Sequence, residues 1–276
     1  MTKNNLAIIV LNWNGADDAL ECISSLARQT LKPAIIIVDN HSHDDSVMRF
    51  EQYQTEHPSV DCIIIANNKN LGFAGGINAG LVYAREQGFE YIGVLNPDAV
   101  ADKKWCQALV DELSSQPKCG IATGILQRRD GKTLDTTGDF YTTWGLPGPR
   151  NRDEPVENAP SKPGEVFGAT GGGAIYRAAM FDDIDMFDED FFMYYEDVDL
   201  SFRAQLAGWK VRFTPKAIAY HKVGASSKKV PGLAVYNTFK NLPLIFIKNV
   251  PGKLFWYIGL RFFLTYWLIF ASAVRH

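Results

Sequence analysis

No acidic residue follows Asp199: residues 200–276 carry 12 Lys/Arg and no Asp or Glu, a charge of +12. Residues 1–199 hold 16 Lys/Arg against all 31 Asp/Glu, so the formal net charge of −3 is the sum of two opposed parts. A segment this basic should face something anionic: phosphate, nucleic acid or an anionic membrane. Cysteine is scarce as well. Cys22, Cys62, Cys106 and Cys119 form no CxxC pair and no Cys/His cluster of zinc-finger spacing, which fits reduced thiols in a cytosolic protein. At the N-terminus the apolar run from Leu6 to Leu11 has six residues, too short for a signal-peptide core, so export is not expected. Internal repeats and low-complexity tracts are absent, and no GxGxxG follows the first apolar run. With 46% hydrophobic residues the chain is neither a disordered tail nor a fibre, because it can fill a sizeable core.

Long apolar runs are few, and one matters. Residues 254–274, LFWYIGLRFFLTYWLIFASAV, contain a single charge, Arg261. As a helix they would be about 31 Å long, enough for a transmembrane helix, an interfacial helix, or a core or dimer helix. Arg261 would cost about 2.5–3.5 kcal/mol at a bilayer centre. The aromatics Phe255, Trp256, Tyr257, Phe262, Phe263, Tyr266, Trp267 and Phe270 favour the headgroup region, so interfacial docking ranks first. Pro231, Pro243 and Pro251 are expected to divide the region from 228 onward into short amphipathic pieces. Two units follow: residues 1–227 and a basic, aromatic helical segment, 228–276.

Within the first unit, the Ile/Val-rich runs 7–11, 34–38, 62–66 and 91–95 alternate with helix-period segments at 16–29, 44–56, 74–87 and 102–115. This rhythm predicts an α/β fold with a mostly parallel central sheet flanked by helices and with ligands beyond the carboxyl ends of the strands. Residues 128–165 break the rhythm and read as a loop-rich insertion of the kind that forms a mobile substrate loop. A strand at 174–176, a helix from about 196 to 207 and a strand pair near 210–213 and 217–220 follow.

The polar residues after each strand carry the chemistry. Asn12 and Asp39 end the first two strands, where a carboxylate accepts from a nucleobase N–H or a ribose hydroxyl, or else shapes a turn. Clustered glycines at 72–80 let backbone approach a ligand. Pro97 fixes a turn that projects Asp98, and a divalent cation bridging two phosphates needs only one or two protein carboxylates. In the acidic cluster from Asp188 to Asp199, FFMYY precedes Glu196, Asp197 and Asp199, and apolar surroundings raise a carboxyl pKa toward values useful to a general base. His221 ends a strand, where an imidazole can complete a metal site.

The strings VLNWNG, VDNHSHDDS, NKNLGFAGGINAG, LNPD, ATGGGAIYR, FDEDFFMYYEDVDLSFRAQLAGW and AYHKVGAS, in this order, resemble the inverting GT-A-fold glycosyltransferases of family 2, most closely their rhamnosyltransferase-like branch. The resemblance implies Mg²⁺ or Mn²⁺ dependence and transfer of a sugar, rhamnose first, from a nucleotide-diphosphate donor to a hydroxyl. It assigns Leu11, Asn12, Asp39, Asn40, Asn70, Phe73, Asn78, Asn96 and Pro97 to the nucleotide and donor. Asp98 and His221 fall to the metal, with Asn96 where the family's metal motif usually has its first Asp. Asp197 becomes the general base beside Glu196, and Gly171, Gly172 and Arg203 lie on the acceptor side. The implied acceptor is a glycan or a polyprenyl-diphosphate-linked glycan of the bacterial cell envelope. The implied location is the cytoplasmic face of the membrane, peripheral, with a homodimer possible and nucleic acid disfavoured by the aromatic interleaving of the basic end. A nucleotidyltransferase, a Rossmann-type oxidoreductase and a non-catalytic nucleotide-sugar-binding protein are the competing readings.

Overall fold

The computed structural model describes residues 5–222 and 230–275, with side chains through residue 272. The expected boundary at 227/228 and the end of the AYHKVGAS string lie outside the described residues.

Four strands, β1 (Leu6–Asn12), β2 (Ala34–Asp39), β3 (Cys62–Ala66) and β4 (Tyr91–Leu95), alternate with α1 (Ala16–Ala27), α2 (Ser46–Glu56) and α3 (Gly72–Glu86). They pair in parallel in the order β4-β1-β2-β3, with Asn12 opposite Asp39 in the β1–β2 register. β1, β2 and β4 are buried on both faces, which is why they read as continuous apolar runs; β3, at the sheet edge, is only half-buried. Along β1, Leu6, Ile8 and Val10 enter one core with Ala19, Ile23 and Phe50. Ala7 and Ile9 enter the other with Ala74, Ile77 and Leu81, as the two-residue strand period requires.

Beyond β4 the sheet becomes mixed. The next elements are β5 (Ala99–Ala101), α4 (Trp105–Ser114), β6 (Cys119–Arg128), β7 (Leu134–Thr136), β8 (Asp139–Tyr141), β9 (Pro147–Pro149), β10 (Gly164–Glu165), β11 (Gly173–Arg177), α5 (Met180–Ile184), α6 (Glu196–Leu206) and β12 (Lys210–His221). β11 lies antiparallel between β4 and β6, and β12 runs parallel to β6. β4, β6 and β12 therefore all end at the edge where β11 begins, and this edge collects the site.

Two expectations need correction here. The strand pair near 210–220 is the single strand β12, whose register on β6 shifts between Phe213 and Ile218. A bulge bends the strand without ending it. The insertion at 128–165 is loop-rich, as expected, but its loops carry short paired strands that were not: β7 pairs with β6, and β8 with β9.

After the undescribed residues, α7 (Leu233–Asn249) and α8 (Gly252–Arg275) form a helical hairpin. Pro243 does not break α7. A proline leaves the carbonyl four residues earlier without its helical partner. That carbonyl, of Phe239, accepts the Tyr266 hydroxyl of α8 at 3.2 Å. The Phe246 ring of α7 stacks on Phe262 of α8 with centroids 4.8 Å apart. The hairpin seats on Tyr141, Leu146, Tyr195 and Phe202. Pro251 does separate the two helices, as expected.

Candidate active site

At the carboxyl ends of β1 and β2, Asn12 Nδ2 donates to Asp39 Oδ1 at 2.9 Å. Asp39 also accepts from the Ser42 hydroxyl at 2.6 Å and, through Oδ2, from the Ser42 backbone N–H at 2.9 Å. The amide orientation leaves Asn12 Oδ1 buried with no hydrogen-bond partner in the protein. An orphaned buried acceptor costs about 1–3 kcal/mol, and a ligand N–H or O–H would relieve it. Next to it, Asn40 donates to Asn70 Oδ1 and to the Gly72 carbonyl, both at 2.9 Å, and accepts from Leu71 N–H. Asn40 and Asn70 thus build the loop that carries the glycines, with their own polar groups engaged in it. Leu11 packs under Gly76 of α3.

At the ends of β4 and β12 a second group assembles. The His221 Nε2 lies 3.0 Å from Asp98 Oδ1 and 3.2 Å from Asn96 Nδ2. Its Nδ1 lies 2.8 Å from Asp135 Oδ2, on β7. Burial opposes charge on the ring, but hydrogen bonds to Asp135 and Asp98 outweigh it, and the His221 pKa rises to about 9. The two carboxylates therefore favour the protonated ring, and a divalent cation at Nε2 would take the place of that proton. Among the described residues no group of three or more His, Cys, Asp or Glu forms a closed metal cage. The donor set nevertheless fits a divalent cation that takes its remaining ligands from phosphate and water: one carboxylate, one imidazole nitrogen, and a second carboxylate fixing the other ring nitrogen.

The third group lies across Gly171 and Gly172. Gly172 O accepts Asn96 N–H at 3.1 Å, which ties the pair to the end of β4. Gly171 N–H donates to Asp197 Oδ2 at 2.7 Å, and Val198 N–H donates to Oδ1 at 2.8 Å. A Cβ on Gly171 would sit 3.2 Å from the Phe73 ring and 3.4 Å from Asp197 Oδ2, so the glycine keeps the carboxylate's approach open. Burial pushes the Asp197 pKa up, against the lowering effect of those amides. Burial, reinforced by the Asp197 charge, pushes Glu196 and Asp139 up further. A carboxyl whose pKa is higher folded than unfolded weakens the fold as pH climbs from the unfolded value toward the folded one. Glu196→Gln and Asp139→Asn should therefore melt above the parent protein at pH 8. The gap should close as pH falls to 4, by roughly 2–4 °C for each kcal/mol lost. Scanning calorimetry against pH checks this, and variants that melt below the parent at pH 8 would contradict it.

Asn78 and Arg203 do not join this site. Asn78 Nδ2 donates to Phe187 O at 2.8 Å and to Glu189 Oε1 at 3.0 Å, and its Oδ1 accepts Phe187 N–H, so it ties α3 to the acidic segment. Arg203 bridges Asp199 at 2.7 Å and donates to the Ile184 and Met186 carbonyls. Asp199 follows Asp197 by two residues, about 200° around α6, which turns Arg203 away from Gly171. Sequence reasoning missed Asp135 and Asp139. The only signal was their position in LDTTGD, two carboxylates four apart among Thr and Gly in a stretch lacking periodicity.

On the outer side of α8, Trp256, Leu260, Leu264, Trp267 and Leu268 are each more than half exposed. Residues 252–272 are long and apolar enough to cross a membrane, although Phe262 is fully buried against α7. The Arg261 guanidinium lies 4.3 Å from the Tyr257 ring centroid.

A family model described as "Glycosyl transferase family 2" matches residues 7–185. Its match stops short of Asp197, His221 and the helical hairpin. The chain is 24% identical over 249 residues to an N-acetylglucosaminyl-diphospho-decaprenol L-rhamnosyltransferase of Mycobacterium tuberculosis, covering 82% of this chain and 78% of that one. It is 25% identical over 210 residues to the low-salt glycan biosynthesis hexosyltransferase Agl10 of Haloferax volcanii, covering 73% and 62% of the two. Among solved structures it resembles the mannosyltransferase PcManGT of Pyrobaculum calidifontis in complex with GDP-Man and Mn²⁺, with a TM-score of 0.65 at 15% identity, covering 94% of this chain and 69% of that one. GalNAc-T7 with UDP, GalNAc and Mn²⁺ also gives 0.65, at 13% identity; 83% of this chain is covered and 45% of that one. At these identities the structural likeness is one of fold.

Proposed function

Because this chain belongs to glycosyltransferase family 2, we propose that it inverts an anomeric centre while moving a sugar, rhamnose first, from a nucleoside diphosphate to a lipid-diphosphate-linked glycan. The observation that carries this reading is the gathering of three groups at one sheet edge: Asn12/Asp39, Asp98/His221, and Asp197 beside Gly171. Nucleobase and ribose fit the first, where the Asn12 carbonyl oxygen lacks a partner. Asp98 and His221 are the residues that would hold a divalent metal, with Asp135 orienting the imidazole. When bound, such an ion supplies Lewis-acid stabilisation of the charge on the departing diphosphate.

Asp197 does the proton work. Burial makes it more basic than an ordinary Asp, while the Gly171 and Val198 amides keep its oxygens aimed. As the acceptor oxygen attacks C1, the C1–O bond to the diphosphate breaks, its electron pair leaves with the diphosphate, and the hydroxyl proton passes to Asp197. One displacement inverts the centre, so no enzyme nucleophile beneath the sugar is required. The 24%-identical relative from Mycobacterium tuberculosis supports a lipid-linked acceptor by its name, and Mn²⁺ in the fold neighbours supports a divalent ion.

The acceptor lies at a membrane, and the exposed aromatic face of α8 with the +12 charge beyond Asp199 suits an anionic leaflet. Full-length protein should sediment with anionic vesicles and remain in solution with neutral ones. Trp256→Ser/Leu260→Ser/Trp267→Ser should abolish sedimentation while leaving nucleotide affinity intact. Equal behaviour of the triple variant and its parent would remove the docking reading; concentration-dependent dimerisation without vesicle binding would assign the face to a second copy. For the reaction itself, a calorimetric panel of UDP-, dTDP- and GDP-sugars with and without Mn²⁺ tests base, sugar and metal together. The reading requires nucleoside-diphosphate sugars to bind more tightly with the ion, and fails if none binds.

A further inference from the structure

Immediately before α6, Phe192, Tyr194 and Tyr195 hold φ at +63°, +69° and +71°. Bulky residues in this region cost of order 1–3 kcal/mol each and persist only where their surroundings hold them. On one side Phe192 O accepts the N–H groups of Phe73 and Ala74 at 2.6 and 3.1 Å. Gly72 allows that approach, since a Cβ there would sit 2.4 Å from the same oxygen. On the other side stands Asn241 of α7, fully buried. Its Nδ2 lies 2.9, 3.0 and 2.8 Å from the carbonyl oxygens of Phe191, Met193 and Tyr194. Two N–H hydrogens thus serve three carbonyls of the turn that delivers Glu196 and Asp197.

The same helix also holds the residues that flank Asp197. Asn249, two turns on, donates to buried Asp199 at 2.7 Å. Between them Ile245 packs on Phe191 and Val198. Lys248 pairs with Asp188 and Asp190.

We propose that Asn241 is a positioning residue for transfer: its amide holds the left-handed turn at 192–195 and so aims Asp197 at the acceptor. Without the amide, three buried carbonyls lose a donor and the turn relaxes toward negative φ. Relaxation swings the first turn of α6 away from Gly171. A misplacement of about 1 Å can cost roughly 100-fold in rate without touching the chemistry. The proposal rests on the reading of Asp197 as the base, and it makes α7 part of the catalytic apparatus as well as the seat of α8.

The test uses full-length Asn241→Ala and Asn241→Ser, with kcat, donor KM, nucleotide affinity by calorimetry, and amide hydrogen exchange over residues 191–199. Expected is a fall in kcat of about 30–100-fold with donor KM and nucleotide affinity within threefold. Exchange over 191–199 should accelerate at least about tenfold, with the strands β1 and β2 unchanged. Unchanged exchange, a kcat within threefold of the parent, or a loss of nucleotide affinity in step with kcat would overturn it. Failure of both variants to fold would make Asn241 a folding element and would equally overturn the separate role. If the parent transfers no sugar, the reading of Asp197 fails; exchange still decides whether Asn241 holds the turn.

Discussion

Asp197→Asn should lower kcat by about 10²–10⁴-fold, the range for loss of a positioned general base, and leave nucleotide-sugar affinity within threefold. The substitution is nearly isosteric, so the Gly171 and Val198 amides lose a charged acceptor without a cavity opening. The ability to take a proton disappears, together with one of the two amide contacts, because the new NH2 is a donor facing a backbone N–H. Stopped assays of sugar transfer, with calorimetry of the donor complex, separate the two quantities. An active Asp197→Asn enzyme would require another base, and neither neighbour suits: burial, the largest cause of their raised pKa, still holds Glu196 and Asp139 toward their neutral forms once the Asp197 charge is gone. The same burial predicts a pH profile. Because Asp197 must be ionised to act, kcat/KM should rise with pH through a pKa above the ordinary Asp range, and this acid limb should vanish in the variant.

The second large effect is expected at the metal group. Asp98→Asn removes the one carboxylate that faces His221 Nε2 from the donor side, and transfer should fall by about 10²–10³-fold, the scale of losing one strong electrostatic stabiliser. A readout independent of turnover is available: Mn²⁺ affinity of the nucleotide complex, followed by the ion's paramagnetic effect on water relaxation, should weaken by at least tenfold. His221→Ala should do the same. Asp135→Asn should weaken it less, since Asp135 acts through the imidazole, on the 10–100-fold scale of an outer carboxylate. Unaltered Mn²⁺ affinity in Asp98→Asn would take the ion away from this edge.

The part of this site lying on the parallel strands was legible in the sequence. Ile/Val-rich runs of five residues alternating with helix-period segments read as strands of a parallel sheet, and the residues that follow them, Asn12, Asp39, Asn96 and Asp98, then fall at one edge. His221 was legible as the end of a strand, but its pairing with two carboxylates was not. Asp135 approaches it across 86 positions in sequence, from a three-residue strand with no periodicity to announce it. Arg203 and Asn78 misled because residue type and nearness to an acidic cluster do not say which face of a helix is turned to the ligand. Pro243 misled for a related reason: the rule against proline within a helix assumes an unsatisfied carbonyl, and Tyr266, 23 positions on, satisfies it. Long-range polar partners are what local pattern omits, and here they decide the details of all three groups.

A single displacement driven by Asp197 leaves its mark in the stereochemistry of the product. Anomeric carbon–proton couplings of the glycoside formed from a nucleoside-diphosphate sugar, measured by NMR before the product can equilibrate, report the outcome in one spectrum. The linkage formed should have the anomeric configuration opposite to that of the donor. Retention of the donor's configuration would contradict it.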